Sequence, residues 1–223
     1  VQLLGVPRAD DPVPEADAIV VALKSRTAPV REAVAESVAA LDWLLAAGCR
    51  VWLLYSQVAQ VVARQEMGIE LPSRPAEVQA MLRARFKDED GRLQVFGREE
   101  WFAPPASGSN PPDAMVVCPC TMGTLAAIAA GLAQNLIERA ADVAIKEGRK
   151  LVLVPRETPL SVIHLENMLR LARMGVVILP PSPGFYNHPR SVDDLVDFVV
   201  ARILDQLGVA HALQPRWGAA TDE

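Results

Sequence analysis

Cysteine is scarce: Cys49, Cys118 and Cys120 are the only three in 223 residues, which excludes a disulfide framework. Cys118 and Cys120 lack a second Cys or His pair, so they read as packing thiols rather than half a zinc site. The three histidines, His164, His188 and His211, show no ligand spacing, and no metal is expected. No apolar run reaches the roughly 18 residues of a membrane-crossing helix, so no membrane association is expected. Basic residues do not dominate either: 22 Lys and Arg face 27 Asp and Glu, a net charge of −5. With no basic stripe interleaved with aromatics, nucleic acid is not an expected partner. The opening VQLLGVPRADDPVPEAD has neither a charged n-region nor an apolar core, so no secretory signal is expected. Free thiols then point to a reducing cytoplasm. No internal repeat is visible.

What remains is an ordinary globular balance, 51% hydrophobic and 22% charged, enough for one full core. The expected organisation is a loose arm at 1–16, one α/β domain at 17–209 and a tail at 210–223. Strands are predicted at Ala18–Leu23, Arg50–Tyr55, Leu93–Phe96, Ala114–Cys118, Lys150–Val154 and Val176–Leu179. Helices are predicted from about Pro29 to Ala47, from a Ser56 cap to Glu66, and from Ala76 to Phe86. Ser161 caps a helix with Val162, Leu165, Leu169 and Ala172 on one face, and Ser191 starts a last helix to about Leu207. This alternation predicts an open parallel sheet covered on both faces, a Rossmann-like or flavodoxin-like three-layer sandwich. Ligands of such sheets bind outside the carboxyl ends of the strands.

The stretch from Pro112 to Pro159 organises the chain. Its apolar strand is expected to stop at Pro119, which cannot donate to a ladder. Thr121, Met122, Gly123 and Thr124 then lead into a helix of alanine, glycine and leucine. So little side-chain bulk lets that backbone lie close to a neighbouring helix or to a flat ligand. Loop hydroxyls and free N–H groups at the helix start also suit an anion. A polar helix carrying Arg139 and Lys146 follows, and the next strand delivers Arg156 and Glu157 at its carboxyl end.

Singly, these charges admit plain readings. Arg139 and Lys146 suit a solvated helix face, and Arg156 with Glu157 a surface ion pair. Arg202 lies on the apolar stripe of the last helix, four after Phe198. It either points inward to an anionic partner or pairs along the helix with Asp205. Tyr186 falls in the loop PGFYNHP.

In combination they carry a resemblance. From Cys49 to Gly218 the chain resembles the UbiX-type flavin prenyltransferases. The segments that carry it are Ser56 with QVAQVV and Glu66, WFAPPASGS at 101–109, VVCPCTMGTLAAIAAGL, NLIERAADVAIKEGRKLVLVPRETP, VVILPPSPGFYNHP and PRWG at 215–218. The resemblance implies an enzyme that attaches a dimethylallyl group from dimethylallyl phosphate to N5 and C6 of reduced FMN. Prenylated FMN then serves a UbiD-type decarboxylase. It implies that Ser56, Thr121, Met122, Gly123, Thr124 and Arg139 hold FMN. Tyr186 and Arg202 would bind the prenyl phosphate, with Lys146 and Arg156 adding positive charge. Glu157 would be the acid/base carboxylate and Glu66 a second active-site glutamate, with Trp101 and Trp217 lining the prenyl site. A metal-independent homo-oligomer, a dodecamer as in the family, is implied too.

One departure stands out. The family has a G-A-S-G-A turn after the first strand; this chain reads LKSRTAPVREAVAES, with no glycine between Val6 and Gly48. Either Lys24, Ser25, Arg26 and Thr27 hold the flavin phosphate with side chains, or the site is impaired and the chain is an FMN carrier. A flavin-dependent cysteine decarboxylase would need P-x-M-N-x-x-M-W, where this chain has CPCTMGTL.

Overall fold

A computed structural model describes residues 19–23, 33–56, 59–60, 63–64 and 70–214. Its strands are β1 (Ile19–Leu23), β2 (Val51–Tyr55), β3 (Leu93–Phe96), β4 (Ala114–Cys120), β5 (Lys150–Pro155) and β6 (Val177–Ile178). They pair in parallel in the order β3-β2-β1-β4-β5-β6. Without the short edge strand β3 this is the flavodoxin-like order; with it, the order of dinucleotide-binding sheets. The predicted arm at 1–16 and most of the helix expected to reach Glu66 lie outside the described residues, although Ala59, Gln60, Ala63 and Arg64 are helical.

Described helices are α1 (Ala33–Ala46), α2 (Pro75–Phe86), α3 (Met122–Ala129), α4 (Leu136–Lys146), α5 (Val162–Arg173) and α6 (Val192–Leu207). The two faces of the sheet are sorted by the period-2 alternation of its strands. Met115, Val117, Leu151 and Leu153 pack against α3 and α4 through Leu125, Ile137, Ala140 and Ala144. Val116, Cys118, Val152 and Val154 point the other way, onto Val199 and Ile203 of α6. Leu41 and Leu44 of α1 join Val51 and Leu53 and the α2–β3 pair on that same side. Burial of both faces explains why these strands read as continuous apolar runs.

Local signals fix where the helices begin. Thr121 Oγ1 accepts from Thr124 N at 3.2 Å to cap α3. Ser161 and Ser191 open α5 and α6 with reciprocal capping boxes. Asn135 caps α4 by accepting from Glu138 N at 3.1 Å, while its amide donates to the buried Glu138 carboxylate at 2.7 Å. Asn135→Ala is therefore expected to cost ~2–3 kcal/mol, one cap plus one bond to a buried carboxylate. A lowered urea midpoint at unchanged slope would show it.

One expectation needs correction, and one helix face is left uncovered. Pro119 does not end its strand: β4 continues to Cys120, which pairs with Pro155 after a register shift between Val117 and Cys120. The missing N–H is absorbed by that irregularity, so pairing resumes one residue later. The apolar face of α5 is not core. Val162, Ile163, Leu165 and Leu169 are each more than half exposed, and Leu171 is the helix's one buried side chain.

Candidate active site

The strand order reverses between β1 and β4, so the expected ligand crevice lies at the carboxyl ends of those strands. Several of the singled-out residues stand on that edge. Ser56 follows β2, is buried, and accepts from Ala59 N at 3.1 Å. Thr121 follows β4 and Thr124 is buried behind it, their hydroxyls 2.9 Å apart. Leu125, Ile128 and Ala129 turn α3 into the core, leaving Gly123, Ala126, Ala127 and Ala130 as its accessible small-residue stripe.

Arg156 follows β5, and its backbone N–H donates to Cys120 O at 3.4 Å, which sets it beside the Thr121 cap. Its Nε is buried and has no hydrogen-bond partner among the described residues. A buried donor left unpaired is costly, and a charged one more so. Glu157 is exposed next to it and accepts from Thr158 N at 3.3 Å through Oε1. The plain reading of Arg156 and Glu157 as a surface ion pair does not hold among the described residues.

Beneath this edge lies a contact that the sequence did not signal. Ser37 Oγ in α1 donates to Cys118 O at 2.7 Å, and Cys118 Sγ lies 3.8 Å from Glu36 Oε2. These tie the start of α1 to the end of β4. Burial first, then the Glu36 carboxylate, pushes the Cys118 thiol well above its ordinary pKa. It is held as a thiol, which argues for packing and against a nucleophile.

Other residues stand elsewhere. Lys146 is the last residue of α4 and pairs with Glu147; both press on Gly108, where a Cβ would collide with them. That is the amino edge of the sheet, one strand length from Arg156, roughly 17 Å for the six residues of β5. Arg202 is also near that edge, because Lys150 Nζ at the start of β5 donates to Gln206 O at 2.6 Å. It does not point inward. Its side chain is half exposed and Nη1 donates to Asp205 Oδ2 at 2.6 Å, the along-helix alternative.

Arg139, in the first turns of α4, donates from Nε to Ala106 O at 2.9 Å and from Nη1 to Asp142 at 2.8 Å, clamping the 101–112 loop. Trp101 on that loop is partly exposed and Phe102 fully so. Tyr186 is exposed and meets Phe198 edge-on, ring centres 6.0 Å apart. Lys24, Ser25, Arg26, Thr27, Glu66 and Trp217 lie outside the described residues. Among the described residues no group of three or more His, Cys, Asp or Glu is placed to hold a metal, and no helix is long and apolar enough to cross a membrane.

A parallel sheet with small residues and hydroxyls along the carboxyl edge at its reversal defines a nucleotide-cradling α/β protein, and residues 32–204 match the Flavoprotein family model. The chain is 56% identical over 178 residues to the flavin prenyltransferase UbiX of Pseudomonas aeruginosa, covering 80% of this chain and 85% of that one. It is 47% identical over 175 residues to the UbiX of Halalkalibacterium halodurans, covering 78% and 83%. The chain belongs to the Flavoprotein family, among its UbiX flavin prenyltransferases. Among solved structures it matches a dodecameric FMN-dependent UbiX-like decarboxylase from Escherichia coli O157:H7, with TM-score 0.74 and 42% identity over 91% of this chain and all of that one. It also matches AnUbiX (PadA1) in complex with FMN and dimethylallyl pyrophosphate, with TM-score 0.76 and 36% identity over 93% of this chain and all of that one.

Proposed function

We propose that this protein transfers a dimethylallyl group from dimethylallyl phosphate to N5 and C6 of reduced FMN, in the cytoplasm, and that a UbiD-type decarboxylase takes up the product. The observation that carries the reading is the buried Arg156 Nε, a charged donor with no acceptor among the described residues, set beside the Thr121 cap at the strand-order reversal. The residues present fit an anionic flavin. Ser56, Thr121, Met122, Gly123 and Thr124 line the edge, the small-residue stripe of α3 admits a flat ring, and Arg139 fixes the neighbouring loop. Lys24, Ser25, Arg26 and Thr27 supply side-chain donors where the family uses glycine amides. When bound, FMN supplies the nucleophilic atoms that the prenyl group joins.

This chain's residues do the rest. Arg156, Lys146, Arg202 and Tyr186 stabilise the charge that grows on phosphate as the allylic C–O bond breaks, which needs no metal. Trp101 and Trp217 face the developing allyl cation. Glu157 takes up the proton released when the second bond forms, and Glu66 is assigned as a second active-site glutamate. Lys146 and Arg202 sit at the amino edge of their own sheet, so they serve the site of a neighbouring copy. The exposed apolar face of α5, with Leu160 and Met174 beside it, supplies surface for such an assembly. A dodecamer, as in the E. coli relative, is the assembly we assign.

The experiment is anaerobic incubation with reduced FMN and dimethylallyl phosphate, with the diphosphate run in parallel. Flavin carrying the added C5 mass is expected. FMN that binds at micromolar or tighter affinity but gains no mass would mark the chain as a carrier.

A further inference from the structure

At the carboxyl end of α6, three side chains form a chain of contacts that the reaction described above does not use. Arg202 Nη1 donates to Asp205 Oδ2 at 2.6 Å, and Asp205 Oδ1 meets His211 Nε2 at 3.1 Å. His211 reaches back six residues because Gly208, at φ 73°, reverses the chain. Val209 N then donates to Leu204 O at 3.0 Å, and the buried Val209 pins the return. The His211 side chain is 8% exposed, whereas that of Arg202 is 52% exposed. One end of the relay is therefore anchored and the other is presented to solvent.

Two features of this arrangement work against local stability. A carboxylate in the last turn of a helix meets the negative end of the macrodipole, and α6 has no basic residue there to offset Asp205. His211 Nδ1 is buried with no hydrogen-bond partner among the described residues, which is unfavourable whether it carries a proton or a lone pair. Local rules broken together without a structural return mark functional positions.

We propose that Asp205, seated by His211, is a positioning residue that holds the Arg202 guanidinium in place for the phosphate of the prenyl donor; this rests on Arg202 being a donor-phosphate ligand. Only Nη1 of the guanidinium is engaged in the relay. Nε and Nη2 remain for two phosphate oxygens, the fork geometry in which arginine binds that group best. Asp205 fixes the direction of the fork, and the buried imidazole fixes Asp205. An arginine held in this way has less side-chain entropy to lose on binding.

The test uses the full chain loaded with reduced FMN and varies dimethylallyl phosphate across Arg202→Ala, Asp205→Ala, their double variant, His211→Ala and His211→Gln. Asp205→Ala is expected to raise KM about 10-fold, the effect of losing a charge-assisted hydrogen bond. It should lower kcat as well, because Arg202 also meets the charge growing on phosphate, but leave FMN affinity within about twofold and the melting temperature unlowered. In the Arg202→Ala background the same substitution adds nothing, because Asp205 acts through Arg202. His211→Ala raises KM by a smaller factor, and His211→Gln, which restores a donor at the Nε2 position, reverses that rise. KM unmoved by Asp205→Ala while Arg202→Ala raises it would overturn the proposal, as would effects that multiply in the double variant. Arg202→Ala with unchanged KM would instead remove Arg202 from phosphate binding and the relay with it. Should alanine at 205 prevent folding, Asp205→Asn reads the same quantity with the carboxylate's shape retained.

Discussion

Glu157→Gln is expected to bind FMN within about twofold of the unaltered protein, yet to form prenylated flavin at least ~100-fold more slowly, the lower end of what a positioned general base supplies. The two side chains have the same shape, and the side-chain hydrogen bond of Glu157, from Thr158 N to Oε1 at 3.3 Å, survives with a glutamine carbonyl. Glu157 is exposed on a loop edge rather than packed, so folding has little reason to change. What is lost is the capacity to take a proton when the second bond, carbon to carbon at C6, forms. Rapid quenching under anaerobic conditions, with the N5-alkylated and ring-closed flavins separated by chromatography and absorbance because they are isomers of one mass, measures the rate; flavin titration measures the binding. Equal rates in the two proteins would remove Glu157 from the chemistry.

Lys146→Ala and Glu157→Gln, each nearly inactive alone, are expected to recover activity when co-expressed as mixed oligomers. Lys146 ends α4 at the amino edge of the sheet, whereas Glu157 follows β5 at the carboxyl edge, a strand length away. One prenyl donor cannot reach both in one chain. If the two act on one substrate they come from different copies, and random mixing gives about one quarter of sites both native residues. Were each chain to carry its own complete site, every site in the mixture would lack one group and no recovery would follow. The comparison needs only specific activity per flavin bound.

The parallel sheet was legible from the alternation of apolar runs with capped helices. Ser161 and Ser191 cap the helices expected of them, because a side-chain oxygen at that position satisfies the N–H groups within reach. Family membership was legible too, since WFAPPASGS, CPCTMGTLAAIAAGL and NLIERAADVAIK are long, specific strings. Position in space was another matter. Nothing local reveals that Lys146 and Arg156, ten residues apart, stand at opposite ends of a strand until β5 is placed between them. Pro119 misled because a ladder can skip one donor and resume. The hydrophobic period of α5 identified its apolar face but not what covers it, for burial by the same chain and burial by another leave the same pattern. His211 carried no signal at all: its place over Asp205 depends on the reversal at Gly208, a tertiary event.

That uncovered face of α5 bears on what stability means for this molecule. Leucine, valine and isoleucine left in water contribute nothing to holding a lone chain together, while the conformational entropy of ordering them is spent in full. If copies meet over this face as the proposed assembly requires, the missing share of burial arrives with them, and resistance to unfolding is then set by mass action. On that proposed assembly, a single subunit would be both the weakest form and the one without a finished site.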